Sequence, residues 1–168
     1  MTTILVATPA HATSLSLEPG DQRRLAAELF NYVWALLEQQ ERSDRENSRM
    51  IDAAHASRFF WEQAGEPVNH ARGEWQISRV YATVGRTEPA IHHARLCLEI
   101  CEQHGLGAFD LGYAYEALAR SLAAAGDLQA AADYSRRAQE CAGRITDRDD
   151  RALLLDDLTG LPSPAHAD

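Results

Sequence analysis

Ile51-Asp52-Ala53-Ala54, seven residues, then Glu62-Gln63-Ala64-Gly65: the same spacing returns as Ile91-His92-His93-Ala94, seven residues, then Glu102-Gln103-His104-Gly105. A second echo links Gly85-Arg86, Ala90 and Cys97 to Gly126-Asp127, Ala131 and Ala138, offset by forty-one residues. Self-similarity at a fixed period of this size marks stacked structural repeats, because one repeat cannot bury its apolar face alone and neighbours must share a continuous core. Such stacks present surfaces more often than catalytic pockets, so recognition of another molecule is the expected class of function.

Apolar periodicity and caps predict seven helices, at about 19–41, 44–64, 67–84, 87–104, 108–125, 128–144 and 147–159, and no segment alternates as a strand. Gly65, Gly85, Gly105 and Gly126 stand where left-handed C-terminal caps are needed, Pro67 and Pro89 fall in first turns, and Thr87 is placed to cap the fourth helix. Short connections between helices of similar length force antiparallel neighbours. The expected layout is all-α. Hairpins over about 19–65, 66–105 and 106–145 are followed by a capping helix over 146–160, between disordered tails at 1–18 and 161–168. Thr146 and Asp149 read as a capping-box start for that last helix, and Ala152, Leu154, Leu155 and Leu158 as its cover for the open end of the stack.

On the third helix Gly73, Ile77, Val80, Tyr81 and Val84 share a face, as do Leu111, Ala114, Tyr115, Leu118, Leu122 and Ala125 on the fifth. Small Ala94, Ala131 and Ala138 recur on the partner helices, where close approach rewards a methyl-sized side chain. The run Tyr115-x-x-Leu118-Ala119-x-x-Leu122, Gly126-Asp127, Ala131 and Ala138, with its weaker copy at Ile77-Ser78-x-x-Tyr81, Gly85-Arg86, Ala90 and Cys97, resembles the tetratricopeptide-repeat superfamily (TPR-like). The likeness covers about residues 67–144. Its period is longer than the usual thirty-four, and the customary proline closing each repeat is missing. The resemblance implies a short right-handed solenoid in which the first helix of each hairpin lines a concave groove.

Sixteen basic residues against twenty-five acidic ones give a formal charge of -9 and a pI near 5.2, which argues against nucleic acid and anionic membranes as partners. All sixteen are arginine, which reads as the codon usage of a GC-rich bacterial genome. No stretch approaches the roughly 18 apolar residues of a membrane helix. Three cysteines, Cys97, Cys101 and Cys141, do not form a secreted disulfide framework, so a cytoplasmic location is expected.

The candidate binding residues lie opposite the core stripes: Arg72, Trp75 and Arg79 on the third helix, with Tyr113, Glu116 and Arg120 on the fifth. Guanidinium groups offer planar forks to carboxylate or phosphate, and Trp and Tyr supply rigid contact area beside them. The competing reading is a solvated face of exposed ion pairs worth little. His93, Cys97, Cys101 and His104 form one stripe of the fourth helix, chemically able to hold zinc or cuprous ion. One helix cannot close such a site, and Cys97 stands where the repeat wants a small buried residue, so no metal or other cofactor is expected. His92 and His93 read as a surface pair. There is no Gly-x-Ser-x-Gly, phosphate-cradling glycine loop or His-Glu-x-x-His, and no catalytic residue is assigned.

The first helix is apolar nearly all round, with Phe30, Trp34 and Leu37 extending the stripe of Leu25, Leu29, Tyr32, Val33 and Leu36. A second cover is therefore expected, and a homodimer interface through Phe30, Trp34 and Leu37 is the favoured one. The sequence leads to a non-catalytic domain binding an acidic protein or peptide partner in a concave groove. The alternative is a small-molecule sensor or enzyme using an interhelical pocket lined by Trp34, Trp75 and Tyr113.

Overall fold

The computed structural model describes residues 17–161, so the readings of 1–16 and 162–168 as tails lie outside the described residues. Seven helices follow in order: α1 (Pro19–Leu37), α2 (Asp44–Ala64), α3 (Pro67–Thr83), α4 (Thr87–Gln103), α5 (Ala108–Ala124), α6 (Leu128–Ala142) and α7 (Arg148–Thr159). No strand occurs among the described residues, and none of these helices is long and apolar enough to cross a membrane. Each helix packs on the next. In addition the backbone of α1 approaches that of α3, α3 that of α5 and α5 that of α7, whereas among the described residues the backbones of α2, α4 and α6 stay apart, α2 and α4 meeting through the His55 and His93 rings at 5.3 Å. The odd-numbered helices thus make one layer and the even-numbered helices a second, a pattern compatible with a helical repeat.

Local chemistry sets the turns. Gly85, Gly105 and Gly126 have φ of +76°, +59° and +87°, the left-handed region that other residues enter only at a cost. After each, the next amide reaches back to close the helix: Arg86 N to Tyr81 O at 2.8 Å, Leu106 N to Cys101 O at 3.0 Å and Asp127 N to Leu122 O at 3.0 Å. Gly65 does not belong to this set. Its φ of -94° is ordinary extended backbone, and Glu66 with Asn69 starts α3 directly behind it.

Other boundaries move for equally local reasons. α1 ends at Leu37 and not near 41, because Arg42 folds back and donates from Nη1 to the carbonyls of Leu36 (3.1 Å) and Gln39 (2.6 Å), while Ser43 and Glu46 form a capping box that opens α2. Thr87 is the first residue of α4 and not its cap. At α7 the cap is Asp147, which accepts from the Asp149 and Asp150 amides, and not Thr146. Leu154 and Leu158 of α7 are buried, but Leu155 is exposed, so the cover this helix provides is narrower than its leucine content implies.

The core runs the length of the stack. Val33, Leu36, Met50, Ile77 and Val80 join α1 to α3, Ala71, Cys97, Cys101 and Ala114 join α3 to α5, and Tyr113, Ala138, Leu154 and Leu158 join α5 to α7. Gly73 and Gly112 permit close approaches between helices. A Cβ at Gly73 would lie 3.1 Å from Arg58 Cγ, and one at Gly112 only 2.6 Å from Leu154 Cδ2. Buried polar side chains tie neighbouring helices: Ser57 Oγ donates to Ala26 O at 2.8 Å between the layers, while within the odd layer Gln76 Nε2 donates to Phe30 O at 3.0 Å and Ser78 and Ser121 meet at 3.2 Å.

Candidate functional site

A half-open cleft of about 310 Å³ lies along the layer of odd-numbered helices. α1 contributes Phe30 and Trp34, α3 Ala71, Arg72, Trp75 and Arg79, α5 Phe109, Asp110 and Tyr113, and α7 Leu153 and Asp157, while Cys97 of α4 reaches its base. Successive helices deliver these groups because each odd helix turns one stripe towards its odd neighbour. A smaller cavity of about 190 Å³, lined by Ala27, Asn31, Trp61 and Asn69, shares Phe30 and Arg72 with the first.

Aromatic rings make the wall. Trp34 and Trp75 meet at 5.5 Å with a 41° tilt, Trp75 meets Tyr113 edge-on at 5.2 Å, and Phe109 meets Tyr113 at 4.9 Å. Such offset and edge contacts are the favoured geometry for π-systems. The Arg79 guanidinium lies 5.5 Å from the Trp34 ring and 5.8 Å from Trp75, close enough for a cation–π contact with both.

The charges of the cleft are paired. Arg72 Nε donates to Asp110 Oδ1 at 2.7 Å, and Arg79 donates to Asp157 Oδ1 from both terminal nitrogens, at 3.4 and 3.3 Å. Tyr113 OH donates to Asp157 Oδ2 at 3.2 Å. Behind the wall, fully buried Glu116 accepts from Arg120 and, at 3.4 Å, from Trp75 Nε1. Burial pushes the Glu116 carboxyl upward despite the Arg120 charge beside it. Burial and the neighbouring Asp157 carboxylate also push the Tyr113 phenol up, leaving it a donor.

Of the six residues read as a binding face, Arg72, Trp75, Arg79 and Tyr113 do line one cleft, while buried Glu116 and half-buried Arg120 stand behind it. Phe30 and Trp34, read as an oligomer face, line the same cleft, and Leu37 packs on the core between α1 and α3. Neighbouring helices bury Phe30, Trp34 and Leu37 in part, and Tyr32 of the same helix stays exposed. Asp110, Phe109, Leu153 and Asp157 went unread. Only the i, i+4 spacing of Leu153 and Asp157, one step off the buried Leu154 and Leu158, hinted that they share a stripe.

A second polar cluster lies between α2, α3 and α4, and neither cavity includes its residues. The buried Glu74 carboxylate accepts from Arg58 Nε and pairs with His93 Nδ1, each at 2.6 Å. His55 Nε2 meets Tyr81 OH at 2.9 Å, and the His93 ring stacks on Tyr81. His93 is thus no surface residue; only His92 of that pair is exposed. Burial pushes the Glu74 carboxyl up, but the His93 hydrogen bond and the Arg58 charge outweigh it and hold Glu74 below its ordinary value. His55 is held down by burial and by the neighbouring His93.

The stripe of His93, Cys97, Cys101 and His104 is split by the packing. Cys97 and Cys101 are buried, His93 is engaged with Glu74, and His104 is exposed at the end of α4. A hydrogen bond with Cys101, together with burial, pushes the Cys97 thiol well up, the direction opposite to a reactive thiolate. Compared with family models, with curated proteins and with solved structures, the chain matches none.

Proposed function

We propose that the seven helices are three TPR-like hairpins in a right-handed stack closed by α7, and that the chain is a non-catalytic recognition domain whose odd-helix layer is the concave binding face. The contact pattern supports the stack, since the backbones of odd helices approach one another in succession and those of even helices stay further apart, as expected of a curved array with its first helices inside. The observation that carries the function is the cleft itself: five aromatic side chains, Phe30, Trp34, Trp75, Phe109 and Tyr113, converge with two guanidinium groups on a half-open hollow. Clustered Trp, Tyr and Arg around a concave apolar patch is the composition of a binding hot spot. The occupant is a protein or peptide segment that inserts an apolar side chain and sets an acidic group beside Arg72 or Arg79.

A small molecule is the second reading. A volume of about 310 Å³ reaches the lower end of ligand pockets, and the base is closed by Ala71 and Cys97. Panning a random-peptide display library on the full chain tests the first reading. Enriched peptides should share an apolar residue next to an acidic residue or a free carboxyl terminus. They should lose tenfold or more in affinity with Phe30→Ala plus Leu153→Ser, both rim substitutions, while far-UV circular dichroism is unchanged. Peptides that bind this variant as tightly as the unaltered chain would remove the cleft as the recognition site.

A further inference from the structure

The carboxylate of Asp157 is surrounded by donors from other helices. Arg79 of α3 and Tyr113 of α5 hydrogen-bond to it, and Arg120 of α5 stands 3.8 Å away. Yet it is held loosely. Its contacts run from 3.2 to 3.8 Å, whereas charge-assisted bonds settle at about 2.7–2.9 Å. Two other arginine–carboxylate pairs that join different helices do settle there: Arg72 to Asp110 is 2.7 Å and Arg58 to Glu74 is 2.6 Å. The receptor is also under-filled, because the buried Nε of Arg120 has no partner. Asp157 comes from α7, whose backbone lies against α5 and α6 and not against α3, so its position relative to Arg79 is set by a helix that meets α3 through side chains alone. All three charged groups keep about a fifth of their side-chain surface exposed, and Asp157, Arg79 and Tyr113 face the cleft.

Resting on the reading of the cleft as a recognition site, we infer that Asp157 is a placeholder, and that the natural ligand carries a carboxylate next to an apolar group and binds by displacing Asp157 from Arg79 and Tyr113. The ligand's carboxylate approaches from the open side, unconstrained by α7, and can shorten the bonds that Asp157 leaves long. Its apolar neighbour then rests on the Trp34 and Trp75 rings. Glu116 remains with Arg120, so only the Asp157 pairing is exchanged. A peptide chain end and a free organic acid both offer this chemistry.

The test uses N-acetyl-phenylalanine and its uncharged amide as matched probes, with calorimetry on the unaltered chain and on Asp157→Asn. The inference expects Asp157→Asn to bind the acid at least tenfold more tightly than the unaltered chain does, to bind the amide no better, and to lose the gain when Arg79→Gln is added. Failure of Asp157→Asn to bind the acid, or equal gains for acid and amide, would overturn it. An independent readout needs no variant: in the unaltered chain the Arg79 Nε–H resonance should move with the acid and stay fixed with the amide, and movement confined to Arg72 would also overturn the assignment. Peptides that depend on Phe30 and Leu153 but bind Asp157→Asn unchanged leave the cleft reading standing and remove the placeholder. Comparison with 3-phenylpropionate separates the sources, since equal affinity indicates a free acid and weaker affinity a peptide terminus.

Discussion

Trp75→Ala should be among the costliest single substitutions in this chain, although the residue lines a cleft. The indole packs against three separate core clusters, those centred on Tyr113 with Leu154, on Leu118 with Leu122, and on Ala71 with Cys97. Removing a tryptophan from a packed core costs about 3–5 kcal/mol through lost burial and the cavity left behind. Partial exposure on the cleft side moves the value down. Loss of the Nε1 donor to the buried Glu116 carboxylate moves it back up by about 1 kcal/mol, the low end for such a loss because the bond is 3.4 Å long. The sum is about 4 kcal/mol, a large part of the 5–15 kcal/mol that holds a typical domain. Trp34→Ala is the control. Trp34 stands on Phe30 and Trp75, and half-burial of its ring is worth about 1–2 kcal/mol.

Urea unfolding followed by far-UV circular dichroism measures both. With a slope of about 2 kcal/mol per molar, Trp75→Ala should lower the midpoint by about 2 M and Trp34→Ala by less than half of that. If Trp75→Ala costs no more than Trp34→Ala, the indole is not the wedge between clusters, and the continuity of the core through it is wrong. If the prediction holds, a binding loss in Trp75→Ala says nothing about contact with a ligand, which is why Phe30 and Leu153 at the rim are the better probes.

Gly112→Ala places a methyl 2.6 Å from Leu154 Cδ2 and 3.2 Å from Cys141 Cβ, and overpacking of about 1–3 kcal/mol should outweigh the gain of about 1 kcal/mol in helix propensity. Thermal unfolding checks this, and a raised midpoint would refute the tight fit of α7 on α5. His55 and Glu74 should make stability fall with acid in two windows. His55 is held below its unfolded value of 6.5, so the unfolded chain binds the proton more readily and stability drops as pH falls through that value. Glu74, held below 4.5, adds a second loss as pH falls further, through its folded value. Urea midpoints measured from pH 8 to pH 4 should show the first slope, and His55→Gln should flatten it; an unchanged slope refutes the assignment.

The helices were legible because their determinants are local. Gly85 and Gly126 repeat a turn, Ala94, Ala131 and Ala138 repeat a close approach, and Ile77, Val80, Leu118 and Leu122 are buried where their period places them. The site was only half legible, because reading residues opposite a core stripe as surface presumes a helix with two faces. α3 and α5 are each packed by helices on several sides, so Glu74, Gln76, Ser78, Glu116 and Ser121 are buried polar groups that find partners across helices. A helix without a free polar face must satisfy its polar residues internally, and the partners are far away in sequence. Arg79 and Asp157 are 78 residues apart, and no periodicity connects them. Asp157 on its own reads as one more acid on the end of an acidic helix.

The pairing of each cleft arginine decides how binding should respond to salt. Free guanidinium groups in a groove attract an acidic ligand through charge, and raising the salt from about 50 to about 300 mM screens that attraction and weakens binding several-fold. Exchange behaves differently. If the ligand carboxylate replaces Asp157, one ion pair is broken for each one made, and the gain lies in shorter bonds and aromatic contact, which salt does not screen. The remaining long-range term is the repulsion of an anion by a chain of formal charge -9, and salt relieves repulsion. Affinity for N-acetyl-phenylalanine should therefore stay level or rise with salt in the unaltered chain, and should fall with salt in Asp157→Asn, where Arg79 is already free. Calorimetry of both across that range is decisive. A matching fall in the two would mean that the ligand adds to the Asp157 pair without replacing it.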